Sequence, residues 1–115
     1  MNYEFELPLL NCPCCKLPTL RERGKFELCM VCWWEDDGQD DAQADEVWGG
    51  PNGDYSLTKA RKNYQHHGHM YDGEDRIRHE ENSNAVQQAI DRYVALIRSG
   101  ECELDPLHLR QLIGE

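Results

Sequence analysis

The fold is decided by the stretch from Cys12-Pro13-Cys14-Cys15 through Cys29-Met30-Val31-Cys32 to Trp33-Trp34-Glu35-Asp36-Asp37. It contains two C-x-x-C pairs separated by thirteen residues. A C-x-x-C turn points both sulfurs the same way, and a hairpin between two such turns brings the pairs face to face, as a tetrahedral metal site requires. We therefore predict a Zn²⁺ ion with a structural role, and iron in the same thiolate geometry is the alternative. The predicted ligands are Cys12, Cys15, Cys29 and Cys32.

The composition indicates an acidic protein with a thin core. The length of 115 residues predicts one domain, over residues 1–115. Apolar residues make up 39% of the chain, so we expect the bound metal to stabilise a small core. Twenty-two acidic and twelve basic side chains give a formal net charge of -10. This charge repels the phosphates of nucleic acids and favours the approach of a basic protein. We therefore expect a protein partner and no direct nucleic-acid ligand.

The N-terminal sequence predicts a cytoplasmic location. The first residues, Met1-Asn2-Tyr3-Glu4-Phe5-Glu6, are acidic and contain no apolar core of a signal peptide. No stretch approaches the roughly 20 apolar residues of a membrane-spanning helix, so no membrane contact is expected. In a reducing compartment, paired C-x-x-C turns indicate metal rather than disulfides.

The sequence around the cysteines predicts an α+β fold with an N-terminal zinc ribbon. Residues 2–8 alternate apolar and polar side chains, as in a short strand. Residues 17–20 and 25–28 are predicted to pair as a β-hairpin across Gly24, where a positive φ would suit a tight turn. The acidic segment 35–54 is predicted to form a loop with a functional role, because long irregular loops are uncommon in small domains.

Two or three helices are predicted to pack against this ribbon. Capping residues delimit helices over 57–67 and 85–99, and Asp105-Pro106 begins a short helix over 107–113. Residues 69–82 carry many charges and predict a loop or a short helical turn. Residues 80–115 are expected to be a helical C-terminal extension. The apolar stripe expected to face the core in the second helix is Val86, Ile90, Tyr93, Val94 and Ile97.

Further chemistry-bearing residues leave alternatives open. Cys14 could replace a ligand or act in redox chemistry, but we expect a small side chain that points away from the metal. His66, His67 and His69 could bind a second metal, although a positive charge near a helix C-terminus is also favoured by the helix dipole. Cys102 is expected to be a bystander. No nucleophile–base pair, zinc-protease motif or phosphate-binding loop is present, so we predict that the protein is not an enzyme.

The ordered motifs resemble the cysteine-rich CPCC domain family. They are Cys12-Pro13-Cys14-Cys15, Glu22-Arg23-Gly24, the run from Cys29 to Asp37, Gly49-Gly50-x-Asn52-Gly53 and Ser56-Leu57-x-x-Ala60-Arg61-x-Asn63-Tyr64. The resemblance covers residues 11–70. It departs from the family at Lys16 and Trp33, where the family usually has glycine, and at Met30, where proline is common.

The resemblance implies metal binding and a role as a small bacterial accessory protein, because some members resemble immunity proteins encoded beside toxins. Together with the charge, it predicts a non-enzymatic module that neutralises a basic toxin domain. The alternatives are a zinc-ribbon adaptor of cellular machinery and a thiol- or metal-dependent enzyme. One tryptophan of Trp33-Trp34 is expected to shield the metal and the other to anchor an interface. The predicted partner-binding residues are Trp34, Glu35, Asp36, Asp37, Asp40, Asp41 and Asp45.

Overall fold

A computed structural model describes residues 9–114 and confirms the α+β class. The strand predicted over residues 2–8 lies outside the described residues. No helix among the described residues is long and apolar enough to span a bilayer. The elements in chain order are β1 (Leu10–Asn11), β2 (Pro18–Leu20), α1 (Leu57–His67), α2 (Gly73–Glu81), α3 (Ala85–Arg98) and α4 (Pro106–Ile113), with 3₁₀ turns at Asp41–Gln43 and Gly50–Asn52.

Two small hairpins replace the one hairpin that the sequence predicts. β1 pairs antiparallel with β2 across the first C-x-x-C turn, with Leu10 opposite Leu20. The residues around the second turn pair with each other, through an isolated bridge between Leu28 and Glu35. The predicted pairing of 17–20 with 25–28 is therefore wrong. Each C-x-x-C turn reverses the chain by itself, so each strand finds its partner on the other side of its own turn.

The long loop between the second hairpin and α1 is an ordered segment. At its start, Asp36 pairs with the opposite side of the second hairpin. Asp36 O accepts a hydrogen bond from Phe26 N (2.8 Å), and Asp36 N donates one to Glu27 O (3.0 Å). Gln39 is fully buried within the loop. The loop is thus irregular, as predicted, but it packs as part of the domain.

Helix α1 begins and ends where the sequence predicts. The Ser56 hydroxyl accepts a hydrogen bond from Lys59 N, and Gly68 closes the helix with a φ of 89°. Leu57, Ala60 and Tyr64 are buried, so the predicted apolar stripe faces the core.

Helix α2 lies where a loop or a single turn is predicted. None of its residues is buried, which explains why no apolar stripe marks it in the sequence. Polar contacts hold it in place instead. The Tyr55 hydroxyl donates to Asp75 (2.8 Å), and His69 bonds to Glu80 (2.9 Å).

Helices α3 and α4 pack against each other and complete the core. Asn84 and Asp105 cap them as predicted. The predicted core stripe of α3 is correct at Ile90 and Val94, which are buried. It is wrong at Val86, which is 48% exposed while its neighbour Gln87 is buried.

Candidate metal centre

Both C-x-x-C turns are built on the same main-chain frame. Lys16 N donates to Cys12 O at 2.8 Å in the first, and Trp33 N donates to Cys29 O at 2.8 Å in the second. The residue after each pair adopts a left-handed backbone, with φ of 67° at Lys16 and 72° at Trp33. Glycine would adopt this conformation without steric cost. The geometry expected of both turns is therefore kept in spite of the two side chains.

Four cysteine sulfurs converge between the two turns. The sulfurs of Cys12, Cys15, Cys29 and Cys32 all lie within 4.8 Å of one another, and all four side chains are buried. The cross-turn distances are 3.6 Å between the Cys12 and Cys32 sulfurs and 3.7 Å between those of Cys15 and Cys29. Tetrahedral zinc with bonds of about 2.3 Å would separate its sulfurs by about 3.8 Å. The cluster thus has the size of a four-thiolate metal site.

The electrostatics of the cluster favour a bound cation. Burial, followed by neighbouring thiols, raises the pKa of Cys15 and Cys32 well above the usual value. Burial also opposes ionisation of Cys29, but hydrogen bonds from Cys12, Cys15, Cys32 and Thr19 outweigh it and lower the pKa of that thiol. The four groups cannot all be negative together without a positive charge among them. A divalent cation would supply that charge.

Several donors point at the sulfurs from outside the cluster. The Thr19 hydroxyl lies 3.1 Å from the Cys29 sulfur, and Val31 N donates to the same sulfur at 3.4 Å. Cys14 N donates to the Cys12 sulfur at 3.4 Å. Such contacts orient metal ligands and stabilise thiolate charge. Sequence reasoning missed Thr19, because its contact depends on the strand pairing within the first hairpin.

Helix α1 and the residues after it close the site. The Arg61 guanidinium donates to Pro13 O at 2.9 Å, which fixes the first turn, and Met70 N donates to Cys32 O at 2.9 Å, which fixes the second. Burial, followed by the charge of Cys15, raises the pKa of Tyr64 on the same helix. The cluster is therefore enclosed by the fold and leaves no sulfur on the surface.

The fifth cysteine of this region, Cys14, does not belong to the group of four converging sulfurs. Its side chain is buried. An interaction with Cys32 lowers the pKa of Cys14, but burial and the charges of Cys12 and Cys29 outweigh it and raise the pKa overall. Cys14 thus remains a neutral thiol beside the four ligand positions. Cys102 lies away from them, half-buried, with its thiol on Glu103 O.

The histidines are not arranged as a second metal site. Among residues 9–114, the four cysteines are the one group whose ligand atoms are close enough to hold an ion. Both nitrogens of His69 are occupied, because Nδ1 accepts from Tyr71 N (3.2 Å) and Nε2 therefore donates to Glu80 (2.9 Å). His66 is exposed, and the His67 ring lies 5.6 Å from that of His69. His69 instead joins the end of α1 to α2.

Two of the predicted partner-binding residues are in the interior. Trp34 and Asp36 have no exposed surface, so assigning them to a contact surface is wrong. Trp34 fills the core beside the cysteines. The Asp36 carboxylate accepts from Arg23 Nε (2.7 Å), Gly24 N (2.7 Å) and Gly38 N (3.2 Å). Asp36 thereby joins the start of the loop, at Gly38, to the turn at Arg23 and Gly24.

The other acidic residues of the loop also make intramolecular contacts. Asp40 pairs with Arg23 at 3.1 Å, and Asp41 pairs with Arg61 at 2.7 Å. Asp45 accepts from the Thr58 hydroxyl. Asp40, Asp41 and Asp45 are exposed, whereas Glu35 and Asp37 are half-buried.

Asn52 is a structural residue that sequence reasoning did not assign. Its side-chain oxygen accepts from Glu35 N at 3.0 Å, and its amide donates to Glu35 O at 2.8 Å, as a neighbouring strand would. Asn52 lies in the Gly49-Gly50-x-Asn52-Gly53 motif. That motif is the signal that could have identified it.

A family model described as "Cysteine-rich CPCC" matches residues 10–89. The match includes both C-x-x-C turns, the ordered loop, α1 and α2, and it extends beyond the residue-70 limit that the motifs predict. No curated protein and no solved structure matches the chain. The family match covers more than half of the sequence, and the chain belongs to the Cysteine-rich CPCC family.

Proposed function

From this membership and the closed thiol cluster, we propose that the protein is a non-enzymatic, zinc-stabilised module that binds a basic protein. The observation that carries the proposal is the burial of all four cysteine ligand positions. Zinc held by four thiolates has no open position for water or substrate, so its role is structural. Function then falls to the surface, and the surface belongs to a chain of net charge -10.

The thiol donors also support zinc as the metal. Four cysteine thiolates in a tetrahedron suit zinc, and iron shares the same geometry. Metal analysis of protein purified without added metal distinguishes the two. We expect about one zinc per chain, and an iron-loaded, coloured protein would contradict the assignment.

The distribution of charge supports a basic partner. Asp40 and Asp41 are exposed although each already has an arginine partner. Glu46, Asp54, Glu74 and Glu81 are exposed and make no ion pair with any residue of the described range 9–114. Their combined field would accelerate encounter with a positively charged surface and would be screened by salt.

The partner we propose is a toxin domain that this protein neutralises in the bacterial cytoplasm. The test is to purify a tagged form from its own host and to identify any stoichiometric companion by mass spectrometry. We expect a basic protein that is toxic when expressed alone and harmless when both are expressed. A basic companion without toxicity would instead identify an adaptor of cellular machinery. A monomer without any companion would contradict the binding function.

A further inference from the structure

The ordered loop exposes a tryptophan at its tip. Residues 45–49 form this tip, between the 3₁₀ turns Asp41–Gln43 and Gly50–Asn52. Trp48 is 47% exposed there, and the adjacent Val47 is 56% exposed. No aromatic ring in the described part of the chain stacks on Trp48. Tryptophan is enriched among the residues that dominate binding at protein interfaces, so this ring is a candidate contact.

The tip is held in place from both sides. Before it, Thr58 N donates to Ala44 O at 2.8 Å, and the Thr58 hydroxyl donates to the Asp45 carboxylate at 2.6 Å. After it, the Asn52 side chain bonds to both main-chain groups of Glu35. A surface that is already ordered reduces the entropy cost that a partner must overcome on binding.

Glu46 orients the exposed ring and places a carboxylate at its edge. The Trp48 indole Nε1 donates to Glu46 Oε1 at 2.8 Å. The other carboxylate oxygen, Oε2, has no hydrogen-bond or ion-pair partner among residues 9–114. A cation that sits over the face of the Trp48 ring would therefore have a carboxylate oxygen beside it.

The surrounding segment lacks positive charge. Residues 35–58 contain no lysine, arginine or histidine. In the described range of the chain, cations stack on Tyr55 and Tyr64, through Lys59 and Arg98, but not on Trp48. Charge complementarity thus favours a cation as the ligand of this ring. The acidic residues of the segment are Glu35, Asp36, Asp37, Asp40, Asp41, Asp45, Glu46 and Asp54.

We propose that Glu46, Val47 and Trp48, which we call the Trp48 site, receive an arginine side chain of the basic partner protein. The guanidinium stacks on the Trp48 ring and donates to Glu46 Oε2, and Val47 packs along its apolar stem. Arginine fits better than lysine because its planar group can stack on a ring and hydrogen-bond a carboxylate together. This inference rests on the proposed function in that the partner is basic. It adds the surface and the side chain that it recognises.

The test measures how a fluorescently labelled, acetylated tetra-arginine amide binds the zinc-loaded protein, by fluorescence anisotropy at low salt. We expect Trp48→Leu to weaken binding about 3–30-fold, because leucine keeps an apolar contact but removes the cation–π attraction. Trp48→Phe keeps an aromatic face, so its affinity should lie between those of the wild type and Trp48→Leu. Equal affinities of Trp48→Leu and the wild type would overturn the site.

Glu81→Gln is the matched control for Glu46→Gln. Both substitutions remove one charge from an exposed glutamate that makes no ion pair with residues 9–114. We expect Glu46→Gln to weaken tetra-arginine binding at least about threefold, and Glu81→Gln to stay within about 1.5-fold of the wild type. Equal losses would show that the peptide responds to net charge alone, which would overturn the site.

A tetra-lysine amide tests the choice of arginine. We expect it to bind at least about threefold more weakly than tetra-arginine. Equal or tighter binding of tetra-lysine would overturn the assignment of a guanidinium.

Proton–nitrogen correlation spectra locate the bound peptide. The indole signal of Trp48, identified by its absence from Trp48→Phe, should shift as tetra-arginine is added. The signal of the fully buried Trp34 should not move. An unchanged Trp48 signal at saturating peptide would contradict the stacked cation.

Comparison with the companion recovered from the host separates this proposal from the proposed function. A basic, toxic companion that Trp48→Leu recovers as well as the wild type does would overturn the Trp48 site and leave the proposed function supported. Tetra-arginine binding that depends on Trp48, by a protein that recovers no companion, would support the site and count against the proposed function.

Discussion

Lys16 and Trp33 occupy equivalent positions in the two C-x-x-C turns but differ in what their side chains contact. Both have a left-handed backbone, which costs a non-glycine residue about 1 kcal/mol or more. The Lys16 side chain is exposed and approaches Asp41 only at 3.8 Å. The Trp33 side chain bonds to Gln87 and packs on His79. The strain is therefore offset by packing at one position and not at the other.

This difference predicts that glycine has unequal effects at the two positions. Lys16→Gly should change the free energy of unfolding by less than about 1 kcal/mol, since relief of strain offsets the greater freedom of the unfolded chain. Trp33→Gly should destabilise by about 2–4 kcal/mol, because packing and a hydrogen bond are lost. Urea unfolding at fixed zinc concentration measures both. Equal effects would contradict the role given to the Trp33 ring.

The Thr19 hydroxyl is the only side-chain donor to a cluster sulfur, among the described residues, that is not itself a cysteine. Thr19→Val keeps the shape but removes this bond, so we expect metal affinity to fall about 10–100-fold in competition with a chromogenic chelator. Thr58→Val is the control, because its hydroxyl bonds Asp45 far from the cysteines along the chain. An unchanged affinity in Thr19→Val would show that the contact does not support the metal.

The metal ligands could be predicted from the sequence because their signal is local. In each C-x-x-C pair, the two residues between the cysteines form a turn that points both sulfurs the same way. Thr19, Asp36 and His69 could not be assigned in this way. Their partners are Cys29, Arg23 and Glu80, which are ten or more positions away and meet them only after folding.

At the scale of elements, the loop over residues 35–54 depends on one buried carboxylate. Asp36→Asn removes the charge that holds Arg23 and weakens the bonds to two main-chain amides. We expect a loss of about 2 kcal/mol or more in the free energy of unfolding, because the Arg23 contact loses its buried anion. Asp40→Asn is the control at the same arginine. Its carboxylate is 53% exposed, so the cost should stay below about 1 kcal/mol.

We expect His79 in helix α2 to make the stability of the fold depend on pH. Burial, followed by the charge of His69, lowers the pKa of His79 below 6.5. The unfolded chain therefore binds this proton more tightly, so the stabilisation is complete above about pH 6.5 and falls as the pH is lowered through that value. Asp91 and Glu80, which also face His79, oppose the shift without cancelling it.

Thermal unfolding between pH 7.5 and pH 5.5 measures this dependence. We expect His79→Gln to reduce the loss of stability at the acidic end. Part of the loss should remain, because burial lowers the pKa of His67 as well. His66→Gln, at an exposed position, should leave the dependence unchanged. If His79→Gln follows the wild-type curve, the titrating group lies elsewhere.

The elements with caps and an apolar stripe could be predicted from the sequence, and the others could not. Ser56, Asn84 and Asp105 mark α1, α3 and α4 because a cap acts within one turn of its own helix. Helix α2 has no buried side chain and is held by polar contacts, so no periodicity reveals it. The hairpin pairing was predicted wrongly because it depends on the reversal that each C-x-x-C turn imposes.

At the scale of the whole molecule, a metal bound by the four cysteines would join parts of the chain that could otherwise separate. Both turns are tied to the helical part, through Arg61 to Pro13 O and through Met70 N to Cys32 O. Without an ion, the four buried thiols would have only one another and a thin core to hold the two turns together. The stability of a structural zinc site, about 10–16 kcal/mol in small peptides, is comparable with that of a whole domain.

Chelation should therefore unfold the protein cooperatively. We expect far-ultraviolet circular dichroism to lose most of its helical signal when zinc falls below about a tenth of an equivalent, and to regain it when zinc is added back under reducing conditions. A metal-free protein that keeps its helical signal and its thermal transition would contradict a structural role for the metal.

The enclosure of the cysteines also determines how quickly a bound ion could leave. None of the four ligand cysteines is more than 6% exposed, so an incoming competitor cannot attack the site from solution. Release therefore requires α1 or a C-x-x-C turn to open. Because opening then limits the rate, the exchange rate should stop rising above a certain competitor concentration. That plateau would be the opening frequency of the native protein. The rate of metal exchange would then measure how often the native protein opens around the cysteines.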